Sequence, residues 1–232
     1  MPPPGYEPFL RAICANPEDN TVRLVYADWL AENGDEERAE FIRLQVAVPD
    51  RPQQFDERYA RIEELRKRNW EAWFGELPKF PGIGWSGSFR RGFPSVLIAK
   101  SGDTLIKHCE SILTAAPVEH LVLHNAGRTM LADVLQLHGV ERLWELSLRS
   151  CRVTPGQWHV LARCPRLPQL TNLQINPIVP HGHLPQFFGE EDAQEFVTTV
   201  YLQRLESITI HAVISKETQS LLRTRFRRVW CA

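Results

Sequence analysis

The sequence predicts an α/β fold: an N-terminal α-helical module, then a short array of about five strand-turn-helix units whose strands form one parallel sheet. Three observations carry this. Aliphatic pairs of the form apolar-x-apolar recur at Val96/Ile98, Leu121/Leu123, Leu146/Leu148, Leu173/Ile175 and Ile208/Ile210, their first members 25, 25, 27 and 35 positions apart. Each pair reads as a short strand that directs two side chains to one face of a sheet. Segments of helical composition separate the pairs. From Tyr6 to about Leu77, in contrast, there is no strand-like alternation; the chain is rich in Glu, Arg, Ala and Leu and breaks at Asn16-Pro17, Asn33-Gly34 and Pro49-Asp50.

Within the helical module, Val22, Val25, Tyr26, Trp29 and Leu30 fall at i, i+3, i+4, i+7 and i+8, which predicts one apolar helix stripe. Gly34 stands where a helix C-terminus favours glycine, and Asp35 is placed to cap the next helix, which carries Phe41, Ile42 and Leu44. A further helix runs from about Gln53 to Phe74, with Phe55, Tyr59, Ile62, Leu65, Trp70 and Trp73 at apolar positions. Asp28 and Arg38 are expected to pair within the module. Trp70, Trp73, Phe74, Phe80 and Trp85 then crowd a stretch punctuated by Pro78, Pro81, Gly82 and Gly84. This divides the chain into a helical module (1–77), an aromatic junction (78–94) and the strand array (95–232). The junction, which includes Arg90-Arg91, is expected to pack across the open end of the array, so that the helical module acts as its N-terminal cap.

The third and fourth units show the fullest pattern, Val140-x2-Leu143-x2-Leu146-x-Leu148-x2-Cys151-x-Val153 and Leu167-x2-Leu170-x2-Leu173-x-Ile175-x2-Ile178. Leu205-x2-Ile208-x-Ile210-x2-Val213 repeats it after an insertion at 177–189. Helices are expected over Asp103–Ala115, Ala126–His138, Pro155–Arg163 and Glu191–Leu205, with Ser215 capping a last one. This pattern resembles the leucine-rich repeats, in their ribonuclease-inhibitor-like branch. The resemblance implies a short solenoid with its parallel sheet on the concave side, in which units bury each other's apolar edges and about three or more are needed for stability.

Glu7-Pro8-Phe9-Leu10-x-Ala12-Ile13, Asn16-Pro17-Glu18-Asp19-Asn20, the run from Arg23-Leu24-Val25-Tyr26-Ala27-Asp28-Trp29-Leu30 to Asp35, and Arg38-Ala39-Glu40-Phe41-Ile42-Arg43-Leu44-Gln45 together resemble the bacterial repeat-companion domain. The resemblance covers roughly residues 5–48 and departs in one detail, Ala31 before Glu32 where an acidic residue is usual. It implies a bacterial protein with leucine-rich repeats following the module, and no particular chemistry.

Of 232 residues, 43% are hydrophobic and 24% charged, enough for one small module and one repeat array, and the formal net charge of −1 argues against a general nucleic-acid or membrane-surface role. No apolar stretch reaches the length of a membrane span, and the opening Met1-Pro2-Pro3-Pro4-Gly5 lacks a secretory pattern, so a cytoplasmic location is expected. Five scattered cysteines, Cys14, Cys109, Cys151, Cys164 and Cys231, form no Cys-x2-Cys pair and fit a reducing compartment. No phosphate-binding glycine loop, nucleophile elbow or metalloprotease helix is present, and a cysteine-dependent transfer enzyme would need a base beside its thiol. Cys109 has only its neighbour His108, and consecutive helical residues do not face each other. No enzymatic activity, cofactor, metal or small-molecule substrate is therefore expected. His181-Gly182-His183 and Glu190-Glu191-Asp192 could suit a metal, but read as a loop followed by an acidic helix start. The cluster Arg223, Arg225, Arg227 and Arg228, with Phe226 and Trp230 interleaved, could grip phosphates, but equally forms the polar end of a repeat array.

On stacked strands the residues flanking the buried pairs align into columns: Ser95, His120, Glu145, Asn172, Ser207; Leu97, Val122, Ser147, Gln174, Thr209; and Ala99, His124, Arg149, Asn176, His211. His124, Glu145, Arg149, Asn172, Gln174, Asn176 and His211 make a mixed polar face that suits a protein or peptide partner better than a polyanion. The expected function is a non-catalytic protein-protein interaction module. An alternative makes the helical module, through Arg23, Asp28, Arg38, Glu40 and Arg43, an adaptor for an enzyme or complex.

Overall fold

The structure, a computed structural model, describes residues 4–48, 57–178 and 187–231. It is a mixed α/β fold with a mostly parallel seven-stranded sheet and N-terminal helices. Two compact units are distinguished: one comprises residues 1–79, 85–96 and 111–118, the other 80–84, 97–110 and 119–232.

The first unit is built on α1 (Glu7–Ala15), α2 (Asn20–Glu32), α3 (Glu36–Ala47) and α4 (Glu57–Gly75). Asp19 starts α2 by accepting the Thr21 N–H at 2.8 Å, and Asp35 starts α3, as the sequence predicts, by accepting the Arg38 N–H at 3.2 Å. Gly34, at φ 86°, ends α2 in the left-handed region. The buried face of α2 differs from the predicted stripe: Arg23, Tyr26, Ala27 and Leu30 are buried, whereas Val25 is half exposed. Arg23 can replace an aliphatic residue there because its donors meet carbonyls. Nε and Nη2 donate to the Pro17 carbonyl at 3.3 and 2.8 Å, Nη1 to the Arg91 carbonyl at 3.1 Å, and the guanidinium lies 5.1 Å from the Phe93 ring centre.

Arg38 is likewise buried, 4.5 Å from the Trp73 ring centre, and does not pair with Asp28. Asp28 instead accepts from Arg43 of the next helix at 2.6 Å on the surface, where both groups stay largely hydrated. The start of the predicted fourth helix, with Phe55, lies outside the described residues, as does Pro49-Asp50.

The junction contributes to this unit's own cores. After β1 (Ile83–Trp85), the strands β2 (Phe89–Arg90) and β3 (Phe93–Pro94) pair antiparallel, Arg90 opposite Phe93, and the two-residue connection has φ 49° at Arg91 and 88° at Gly92. Both positive values give a primed turn, the kind that matches strand twist. A Cβ on Gly92 would fall inside van der Waals contact of Ile42, so only glycine fits. The hairpin inserts Phe93 among Ile13, Tyr26, Ala27, Leu30, Ala39 and Ile42, and packs Phe89 on Phe41, Ile62, Leu65 and Trp73.

The second unit carries most of the sheet, whose order is β1, β4 (Val96–Ala99), β5 (His120–His124), β6 (Glu145–Cys151), β7 (Asn172–Pro177), β8 (Ser207–Ile210) and β9 (Arg228–Cys231). From β5 onward all neighbours are parallel and the predicted pairs are in register: Leu121, Leu146, Leu173 and Ile208 align, as do Leu123, Leu148, Ile175 and Ile210, and Val229 and Cys231, which were not predicted as a pair, continue the two rows. The same re-entry contact recurs at each step. Glu119, Trp144 and Thr171 each offer one carbonyl to two successive N–H groups at the start of the next strand, at 2.9–3.2 Å, and Glu206 accepts the Arg228 N–H at 3.2 Å.

Three departures from the expected pattern are physical. In β4 the fully buried pair is Leu97 and Ala99, with Val96 and Ile98 half buried; a period of two turns a one-residue offset into an exchange of faces. The helices are shorter than predicted: α5 (Gly102–Lys107) and α6 (Cys109–Leu113) replace one helix, followed by α7 (Arg128–Val134), α8 (His159–Ala162), α9 (Glu190–Thr198) and α10 (Lys216–Arg223). Helix α9 stops early because Arg225 Nη1 donates to the Phe196, Val197 and Thr199 carbonyls at 2.8 Å and Nη2 to the Leu202 carbonyl at 3.0 Å, satisfying groups that another helical turn would have used. Finally, β9 adds a strand where only a polar end was expected. Ser215 does cap α10, accepting the Thr218 N–H at 3.0 Å.

Replacing Arg23 with Met removes its donors from the buried Pro17 and Arg91 carbonyls, leaving Pro17 with Arg91 Nη1, and is expected to cost about 2–4 kcal/mol. Val25→Ala, in the predicted stripe but half exposed, should stay within about 0.5 kcal/mol. Urea unfolding midpoints of the two variants test the contrast; equal losses would return Val25 to the core.

Candidate functional site

The sheet face opposite the aliphatic pairs is assembled by register. His120, Glu145, Asn172, Ser207 and Arg228 form one row across the strands, Val122, Ser147, Gln174, Thr209 and Trp230 the next. In a third, His124 is opposite Arg149 and Arg149 opposite Asn176, while the His211 N–H donates to the Ile175 carbonyl at 2.8 Å just beyond β8. All seven residues singled out in the sequence, His124, Glu145, Arg149, Asn172, Gln174, Asn176 and His211, therefore lie on β5–β8 or their C-terminal edge. Arg228 and Trp230 were missed because their strand was missed. The available signal was Val229-x-Cys231, an apolar-x-apolar pair hidden behind four arginines.

The face is not uniformly open. Val122 and Ser147 are buried at 5% and 2% exposure, Gln174 and Thr209 are half buried, and Trp230 is 51% exposed. Where it is closed, its polar groups are already engaged. Glu145 Oε1 accepts from Gln174 Nε2 at 2.7 Å, and His120 Nε2 is 3.0 Å from Ser147 Oγ and 3.6 Å from Glu145. Burial, then the charge of Arg149, lowers the His120 pKa to about 4 and keeps its ring neutral; burial, Arg149 and Lys100 shift His124 in the same direction. At the other end Arg149, Asn176 and His211 are exposed, and the His211 ring lies 5.0 Å from that of Trp230. An exposed tryptophan beside an imidazole, with an exposed amide and guanidinium on the next two strands, offers apolar area together with donors and acceptors that can exchange water for a partner.

Other sequence candidates are used structurally. Arg225 is bound to carbonyls, so the arginine run does not present four free cations, and Arg227 lies 3.8 Å from Glu206. Asp192 is buried at the start of α9, its oxygens accepting the Gly189 and Gly156 N–H groups at 3.0 and 2.9 Å. His181 and His183 lie outside the described residues. Among those described, no cluster of three or more metal-ligating side chains occurs and no helix is long and apolar enough to cross a membrane. Burial pushes the Cys151 thiol up to about 12, and the His108 ring stacks on Phe80, 4.2 Å between ring centres. No family model matches the chain, and no curated protein or solved structure matches it.

The His120 shift fixes the sign of a pH effect. Its folded pKa lies below the ordinary 6.5, so the unfolded chain takes up a proton first as pH falls. The stability contributed by the neutral ring is complete above about pH 6.5 and is lost between there and about pH 4, up to about 3 kcal/mol. Urea midpoints measured from pH 7.5 to 4 should fall in the intact chain and fall clearly less in His120→Gln; identical slopes would contradict the buried neutral ring.

Proposed function

We propose that the second unit is a short leucine-rich-repeat solenoid of the ribonuclease-inhibitor-like type, that residues 5–48 form a repeat-companion module, and that the chain is a non-catalytic bacterial interaction protein. The recurrent re-entry hydrogen bonds and the parallel register of the aliphatic pairs, which shifts only past Arg149 at the end of β6, support the repeat assignment, because similar geometry from step to step is what stacked units require. The partner is a protein or peptide held on the concave sheet in the cytoplasm, over its open end at β6–β9. The observation that carries this reading is the row Arg149, Asn176 and His211 beside the exposed Trp230. Glu145, Asn172 and Gln174 serve to orient that face rather than to touch the partner first, since the Glu145–Gln174 hydrogen bond already occupies the half-buried middle of the sheet.

Affinity capture from a bacterial lysate, comparing the intact chain with Arg149→Ala and Trp230→Ala, tests this. A specific protein should be retained by the intact chain and lost at least tenfold from each variant, a change of about 1.4 kcal/mol or more, with unfolding midpoints unchanged. Undiminished retention by both variants would remove the site from this face.

A further inference from the structure

The first unit contains a cavity of about 90 Å³, room for a ligand of roughly six non-hydrogen atoms when one water needs about 10–15 Å³. Two of the side chains that line it, Arg38 and Tyr26, are buried with donors to spare. Arg38 is nine-tenths buried, its guanidinium lies 4.5 Å from the Trp73 ring centre and 5.6 Å from that of Phe93, and its Nη1 has no hydrogen-bond partner. The contrast with Arg23 in the same unit is direct. Arg23 spends its donors on two backbone carbonyls, whereas Arg38 has aromatic faces around it and a donor without an acceptor. Tyr26 packs its ring on Phe9, Trp29 and Phe93, while its hydroxyl makes no hydrogen bond among the described residues. Burial pushes that phenol above its ordinary range, so it stays an O–H donor.

Buried donors are nearly always matched, and an ionised one calls for an anionic acceptor. The cavity's own carboxylates are committed to other work. Asp35 accepts the Arg38 backbone N–H at the start of α3, whose partial positive charge it offsets, and Glu76 has a partner of its own; neither takes the Nη1 donor. A guanidinium presents a planar fork of N–H groups, which a carboxylate meets with both oxygens, and the Tyr26 hydroxyl adds a donor of a second kind to the same cavity. Leu10, Leu77 and Pro94 make much of the remaining wall apolar, so a second charge on the ligand would be desolvated without a group to pair with, which disfavours phosphate, dicarboxylates and amino acids. We propose that this cavity binds a small monocarboxylate of about three or four carbons, its carboxylate accepting from the Arg38 guanidinium and the Tyr26 hydroxyl and its short apolar tail lying against Leu10, Leu77 and Phe93. This site belongs to the helical unit and is independent of the sheet face.

The test uses the full chain, following tryptophan fluorescence, titration heats and the urea midpoint with propionate and butyrate, and with butyramide, L-alanine, inorganic phosphate and chloride as probes of the charge the site accepts. At least one of the two acids should bind saturably and raise the urea midpoint, and the other four probes should bind at least tenfold more weakly. Arg38→Lys, which replaces the fork by a single point of charge, should weaken that acid at least tenfold. Because this change disturbs a buried side chain, Tyr26→Phe provides the second arm. It keeps the ring, should weaken the acid several-fold, and should leave the urea midpoint of the ligand-free chain unlowered, since the hydroxyl it removes has no partner to lose. No saturable binding of either acid, binding of butyramide or L-alanine as tight as theirs, tighter binding of phosphate or chloride, or an affinity indifferent to Tyr26→Phe would each overturn the assignment. A clear loss of ligand-free stability in Tyr26→Phe would overturn it as well, by giving the hydroxyl a partner within the protein.

Discussion

Parallel register is the constraint from which the rest of the second unit follows. Strands β6 to β9 each enter the sheet by donating to a carbonyl just ahead of the previous strand, at Glu119, Trp144, Thr171 and Glu206, so the same contact recurs along the array. Aliphatic residues then stack on one face and polar residues on the other, however different the connecting segments are in length. The 35-residue step between Leu173 and Ile208 is absorbed without disturbing a single pairing of Asn172, Leu173, Gln174 or Ile175 with β8. A slip of one residue would exchange the two faces and bury the charged row. The helices are subordinate to this order: their ends are decided by tertiary partners, as Arg225 shows at the end of α9.

In the first unit the corresponding constraint is the burial of two arginines. Arg23 ties the turn at Pro17 to the hairpin at Arg91, and Arg91 returns the favour by donating to the Pro17 and Glu18 carbonyls at 3.2 Å. These contacts hold Phe93 where the helices need an apolar residue, and fix the hairpin turn that only glycine at position 92 permits. Arg38 occupies the space between the two apolar clusters, over Trp73, Phe89 and Phe93. A guanidinium tolerates such surroundings because it is weakly hydrated and its flat faces stack on aromatic rings. The unit is thus organised around polar groups that hydropathy places on its surface.

These differences mark what could be read without coordinates. Caps are local: Asp35 and Ser215 each satisfy an N–H three residues away, and Gly34 ends a helix through its own φ, so sequence and structure agree there. The aliphatic pairs of β5–β8 are legible because a period of two with a recurrent spacing is a property of the chain itself. The phase of β4, the shortness of α8 and the partner of Asp28 were not, since each is chosen by residues distant in sequence. The face of the candidate site was legible as columns, but its gradient from buried Ser147 to exposed Trp230 was not.

By itself, then, the sequence determined the order of helical and strand segments, the pairs that enter the sheet and the columns they bring together, because these depend on periodicity and on contacts within one turn. Tertiary structure alone decided which polar side chains are buried. Arg23 went inside because carbonyls from Pro17 and Arg91, 68 positions apart from it in the second case, converge on its guanidinium, and no pattern within a helix encodes a partner that far away.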